Sequence, residues 1–280
     1  MACSLWVIIM KNQSVADIQR HYRRLNRLFW LGVFGIILFP VLMLIVAAIA
    51  FRIAGSEVSA PIGLSSPLGA VAAIALALLV RSSRRIARRS LDLGKWSESQ
   101  GYRYSWKPAE EDWQLIGELS VWDNPTSMEA RNLIAFEQSD VEIQIADFRS
   151  EHFYGAVTSW SEQTLIVFPN AVVEDLDLIV IPKGSADKLL GKLINTGVDQ
   201  RFRQLPLAKN FQIACSGSFD TTELQKCLLA LQPMFQQYPR MCLIVENGHI
   251  VLFQELRLLS VAELRPMLAA SWTVRQSFAG

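Results

Sequence analysis

The sequence predicts a membrane-anchored α+β protein: an N-terminal two-helix transmembrane hairpin, then a cytosolic domain of antiparallel strands and about three helices. Three observations predict it. Leu28 to Phe51 runs 24 positions without a charged residue. Up to Lys95 there are 12 basic and 3 acidic residues, and from Trp96 onward 15 basic and 23 acidic. Beyond Trp96, short apolar runs alternate with polar positions between turn residues. The net charge of +1 over 280 residues is thus a basic first third at +9 joined to an acidic remainder at −8. With 51% apolar and 19% charged residues, the chain is no disordered acidic tail.

As a helix, Leu28–Phe51 would be roughly 36 Å long, enough for a hydrocarbon core of about 30 Å. A second uncharged run, Val58 to Val80, is punctuated by Pro61 and Pro67 at its start. The expected spans are about 28–51 and 60–80. Leu28–Phe51 is too long and starts too late for a signal peptide. The first nine residues read as a translation-start extension ahead of Met10-Lys11. Pro40 predicts a kink in the first span. Gly69, Ala73 and Ala77 form a small-residue ladder on the second, which lets two helix backbones approach.

Arginines flank both spans. Arg20, Arg23, Arg24 and Arg27 precede the first, and Arg81, Arg84, Arg85, Arg88 and Arg89 follow the second. The link between the spans holds only Arg52 and Glu57. The positive-inside rule then keeps both termini in the cytoplasm of a bacterial inner membrane. Four cysteines (Cys3, Cys215, Cys227, Cys242) without paired spacing agree with a reducing compartment. Each arginine set follows helical spacing and forms a stripe on one face. Three roles fit such stripes: topology anchoring, contact with anionic lipid headgroups, and docking of the acidic domain. Nucleic acid is disfavoured, because the stripes flank the expected spans and so sit at the membrane surface. The absence of ionisable residues within the spans argues against a transport path.

The organisation is a basic N-terminal helix (1–27), the hairpin (28–80), a basic juxtamembrane helix (81–95) and a cytosolic domain (96–280). Gly101-Tyr102 ends the juxtamembrane helix. Strands are expected at Arg131–Phe136, Val141–Phe148, Thr164–Phe168, Leu176–Ile181 and Phe211–Cys215, and a helix at about Ser185–Ile194. Asp220-Thr221-Thr222-Glu223 reads as a capping box for a helix that breaks near Pro233. Asn247-Gly248 between two apolar runs is a two-residue hairpin turn. Ser260-Val261-Ala262-Glu263 caps a last helix, which Pro266 would shift or kink.

These blocks carry a resemblance. Gly101-Tyr102-Arg103-Tyr104, Ala130-Arg131-Asn132-Leu133-Ile134, Phe168-Pro169 and Leu205-Pro206-Leu207-Ala208-Lys209-Asn210-Phe211 stand in an order that resembles a broad group of uncharacterised bacterial proteins. That group has N-terminal membrane spans and a cytosolic domain. The likeness covers roughly Trp96 to the C-terminus and implies a fold but no site. A weaker likeness is to two-span proteins bearing pleckstrin-like domains, whose strand series the helix near Ser185 would interrupt.

Catalytic and cofactor motifs are missing: no GxGxxG, no phosphate-binding GxxxxGK[ST], no HExxH and no GxSxG occurs. The cysteine spacing fits no zinc ribbon. No catalytic, cofactor-binding or metal-binding residue is therefore assigned. His152, with Asp147 and Glu151 nearby and Cys215, Ser216 and Ser218 elsewhere, is the one set from which a hydrolase or transferase site could be built. Trp96, Trp106, Trp113 and Trp122 suit a domain core, an interfacial belt or a ligand groove. The expectation is a non-catalytic membrane tether whose domain binds a protein partner or ligand. The alternative is a tethered enzyme with a site near His152 and Cys215.

Overall fold

The computed structural model describes residues 14–54, 78, 80–119, 126–154, 157–172, 176–184 and 200–278. The chain divides into two compact units, Gln13–Asp92 and one built mainly from Leu93–Gly280. The expected helix at Ser185–Ile194, most of the second span, and Trp122 lie outside the described residues.

The first unit contains helix α1 (Val15–Ala54, 40 residues) and most of helix α2 (80–100). Ser14 and Asp17 close the start of α1, with the Ser14 backbone N–H donating to Asp17 Oδ2 at 3.1 Å. One face of α1 is continuous. Arg20, Arg24, Arg27, Leu31, Phe34, Leu38, Leu42, Ile45 and Ile49 follow each other at steps of three or four, so they stack on one side. All are exposed, and each of the six apolar ones is more than half exposed. The opposite side holds the fully buried Ile18 and the half-buried Phe29. The Arg84 guanidinium of α2 stands over the Phe29 ring at 4.8 Å, and Ala87 and Ser90 are buried nearby in sequence.

Over the described side chains, no helix is long and apolar enough to cross a membrane. Between 36 and 54 those side chains are Leu38, Leu42, Ile45 and Ile49 alone. The helical backbone nevertheless continues through all 24 uncharged positions.

The second unit is an α+β domain around one eight-stranded antiparallel sheet of order β1-β2-β3-β4-β8-β7-β5-β6. The strands are β1 (Arg103–Ser105), β2 (Ser127–Gln138), β3 (Val141–Tyr154), β4 (Val157–Phe168), β5 (Leu176–Pro182), β6 (Phe211–Gly217), β7 (Met241–Glu246) and β8 (His249–Gln254). The helices are the short α3 (Gln114–Gly117), α4 (Thr221–Gln237) and α5 (Val261–Ser277). All five expected strands exist, and β2, β3 and β4 extend well beyond the expected bounds. Both sheet faces are buried. On one, Ile143, Ile145, Ile166 and Leu252 pack with Leu228 of α4, Met267 of α5 and Trp96 of α2. On the other, Phe148, Leu165, Val167 and Phe253 pack with Ile116 of α3 and Leu119. Strands buried on both sides need no polar alternation, which is why β5, β7 and β8 read as nearly unbroken apolar runs.

Turn and cap chemistry acts where expected. Gly101 adopts φ +73 and ends α2. Asp220 accepts from the Thr222 and Glu223 backbone N–H groups, and the Glu263 carboxylate accepts from the Ser260 backbone N–H and hydroxyl, each at 2.8 Å. The helix break near Pro233 does not occur: α4 runs through it, and α5 likewise runs through Pro266 without shifting its cap. Both prolines are exposed. On the solvent side of a curved helix, the carbonyl that loses its donor is hydrated.

The hairpin turn is tighter than the dipeptide alone implies. Asn247 and Gly248 have φ +52 and +77. The Gly248 carbonyl accepts from Val172 N–H at 3.0 Å, and a Cβ on Gly248 would lie 3.0 Å from the Val172 carbonyl oxygen. Gly248→Ala is expected to cost about 2 kcal/mol, from positive φ and this contact together. A urea melt with an unchanged midpoint would refute it.

Candidate functional site

Three places hold chemistry among the described residues. The first is the pair of arginine stripes. Arg20, Arg23, Arg24, Arg27, Arg81, Arg85 and Arg88 are exposed, while Arg84 and Arg89 are half-buried. Arg20 is paired with Asp17, and Arg84 stacks on Phe29. The nine arginines are therefore not equivalent.

The second is a polar chain through the sheet. Asn132 sits at φ +54 in a bulge that shifts the β2–β3 register between Arg131 and Ile134. The bulge aims the buried Asn132 side chain at Asp147, to which its Nδ2 donates at 2.7 Å. Thr164 Oγ1 donates to the other Asp147 oxygen at 2.7 Å and accepts from Leu259 N–H at 2.9 Å. Tyr104 donates to Asn132 Oδ1 at 2.9 Å. Each member has its partner in this chain, so the network ties β1 to β4 and to the segment leading into α5. It is a structural device and leaves no group poised toward a substrate.

The third is a cleft of about 450 Å³ between the β4–β5 loop, the start of α4 and the end of α5. Asn170, Phe219, Glu223, Lys226, Cys227 and Arg275 are among its walls. Its volume suits a small ligand. Among the described residues the buried Arg275 Nε has no hydrogen-bond partner, although an isolated buried donor is costly. Sequence reasoning passed over this cleft, because its walls are separate segments that only the strand order brings together.

The loop beside the cleft is pinned by His249, whose Nδ1 accepts from Asn170 N–H at 3.0 Å. Burial holds the His249 pKa below its usual value. A depressed histidine pKa contributes stability that is present above the unfolded value near 6.5 and lost as pH falls through the folded value. The wild-type thermal midpoint is expected to drop below about pH 6.5, and His249→Gln is expected to flatten that drop. Parallel pH profiles of the two would contradict the assignment.

The structure does not assemble the alternative catalytic set. His152 lies on β3 opposite Ser159, and Cys215 lies on β6 opposite Leu178. Four strands stand between them, which at about 4.8 Å per step is a separation of roughly 24 Å. Cys215 Sγ accepts instead from Arg201 Nη2 at 3.3 Å, and Ser216 donates to Asp177 at 3.3 Å. Cys242 is buried, and burial pushes its thiol pKa far up. No group of three or more metal-ligating side chains occurs among the described residues. Trp96 and Trp106 are buried, and Trp113 meets Phe148 edge-on at 6.0 Å. These three tryptophans pack within the domain.

Comparison with known proteins gives no further constraint: no family model, no curated protein and no solved structure matches this chain.

Proposed function

We propose that the protein is an inner-membrane anchor of the two-span hairpin type, with both termini cytoplasmic, that holds an α+β binding domain at the membrane. The observation that carries this reading is the single face of α1, which changes from guanidinium to hydrocarbon between Arg27 and Leu31. In water, six exposed large apolar side chains on one helix would form a patch that folded proteins rarely leave uncovered. Lipid covers such a patch without requiring a partner protein. The charge step supports the orientation, since both arginine sets flank the uncharged stretches on one side.

For the domain, binding is favoured over catalysis. The cleft offers volume and a cationic donor that is unpaired among the described residues, whereas His152 is remote from Cys215. The cleft is the seat for a small ligand or for a partner's side chains. Photo-crosslinking from position 223 in intact cells tests this. A discrete adduct from the cleft, and none from position 137 on an exposed strand end, is the expected result. No adduct from either position would contradict a binding role for the cleft.

A further inference from the structure

We infer that six arginines form one girdle that binds the phosphate groups of an anionic phospholipid leaflet; this rests on the membrane reading above. The nine flanking arginines sort by their contacts. Arg20 is taken by Asp17, Arg84 by Phe29, and Arg89 is half-buried and already engaged. Arg23, Arg24, Arg27, Arg81, Arg85 and Arg88 remain, all exposed.

The Arg84–Phe29 contact sets the level of the two helices against each other. Measured from Phe29, Arg27 is about 3 Å and Arg23 about 9 Å along the axis. Measured from Arg84, Arg85 is about 1.5 Å, Arg81 about 4.5 Å and Arg88 about 6 Å away. A headgroup layer is roughly 5–7 Å thick, and arginine side chains reach several ångströms along the axis. In a hairpin the two helices run antiparallel, so Arg81 lies on the membrane side of this level and the other five on the opposite side. The spread from Arg81 to Arg23 is about 13.5 Å, and their long side chains snorkel from both ends toward one layer. A guanidinium presents paired N–H donors that match two phosphate oxygens, so the girdle fits phosphate-bearing headgroups rather than charge alone. Phosphate held in a lipid is favoured over phosphate in solution, because Arg24 and Arg27 share their face with Leu31 and Leu38. A ligand that lies along that face is charged at one end and apolar at the other. A second copy of α1 packed in parallel by this face would set guanidinium against guanidinium.

The test uses the full chain in liposomes of equal phosphatidylcholine and phosphatidylglycerol. The protein is extracted into mild detergent, and the co-isolated phospholipids are counted by mass spectrometry. Phosphatidylglycerol is expected to be enriched about fivefold, the ratio for one retained contact. Replacing all six arginines by Gln should bring the ratio close to one, with resistance to alkaline carbonate retained. If that variant fails to insert, Arg81→Gln with Arg85→Gln and Arg88→Gln should still lower the enrichment. Equal co-isolation by a wild type that resists carbonate would overturn the girdle and leave the anchor standing. Unchanged enrichment in an inserted variant would overturn it too. If, instead, the stripes hold the protein's own acidic domain, the wild type shows no enrichment and amide exchange in the sheet domain changes in the variant. Release of the wild type by carbonate would remove the anchor and the girdle together.

Discussion

Arginine at both Leu38 and Leu42 is expected to release the protein from membranes. Both side chains are more than half exposed on the apolar face of α1, and both lie near the middle of Leu28–Phe51. An arginine at the centre of a membrane helix costs about 2.5–3.5 kcal/mol of insertion free energy, so the pair costs about 5–7 kcal/mol. Neither position contributes to the sheet domain, which begins near Leu93. The released protein should therefore keep the wild-type melting transition of that domain. Leu38→Phe with Leu42→Phe, which preserves the apolar character, should stay in the membrane fraction. Alkaline carbonate extraction followed by quantitative blotting separates the cases. Retention of the arginine double variant would mean that this face does not meet lipid.

Asp147→Leu is expected to destabilise the domain by about 3 kcal/mol. The side chain is 7% exposed and accepts from Asn132 and Thr164. Leucine deletes both acceptors at once and strands two donors, each worth about 1–3 kcal/mol when buried and unpaired. The loss spreads, because Thr164 also holds Leu259 N–H and Asn132 holds Tyr104. Asp147→Asn should cost less, since its carbonyl oxygen still accepts from one neighbour while its amide opposes the other donor. Denaturant melts of the solubilised variants, read at unchanged slope, measure both. A loss below about 1 kcal/mol for Asp147→Leu would show that the chain relaxes to satisfy the stranded donors elsewhere.

The local chemistry of the fold was legible in the sequence. Asn247-Gly248 announced its hairpin, Ser260 and Glu263 their cap, and the alternation from Val141 its strand, because each signal depends on a few adjacent residues. What escaped depends on distant ones. The β7–β8 hairpin inserts between β4 and β5, and nothing within Met241–Gln254 encodes that choice of neighbours. Burial on both faces follows from it and erases the alternation in β5. The bulge at Asn132 was missed because an Asn inside an apolar run reads as an ordinary polar position, although Asn tolerates positive φ. Pro233 misled for a similar reason, since its effect depends on which side of α4 faces solvent. The candidate sites divide the same way. The arginine stripes are periodic within single helices and were visible at once. The cleft joins Asn170, Glu223 and Arg275 from three segments and has no sequence signature.

The charge asymmetry gains detail from the helices that carry it. Its basic part is not uniform: Arg84 packs, Arg20 pairs, and six others face outward along two helices. Its acidic part includes capping groups. Hydrogen bonds from Ser260 hold the Glu263 carboxyl below its usual range, and backbone donors of α4 do the same for Asp220. Both contributions are present above the unfolded carboxylate values near pH 4 and fade as pH falls through the lower folded ones.

The most direct test of the central claim is the fluorescence of carbonate-washed membranes from bacteria producing the chain with green fluorescent protein fused after Gly280. That reporter matures in the cytoplasm. A membrane anchor with a cytoplasmic C-terminus predicts fluorescence that stays with the washed membranes. Fluorescence in the supernatant would contradict the anchor, and membrane-bound fusion without fluorescence would contradict the orientation.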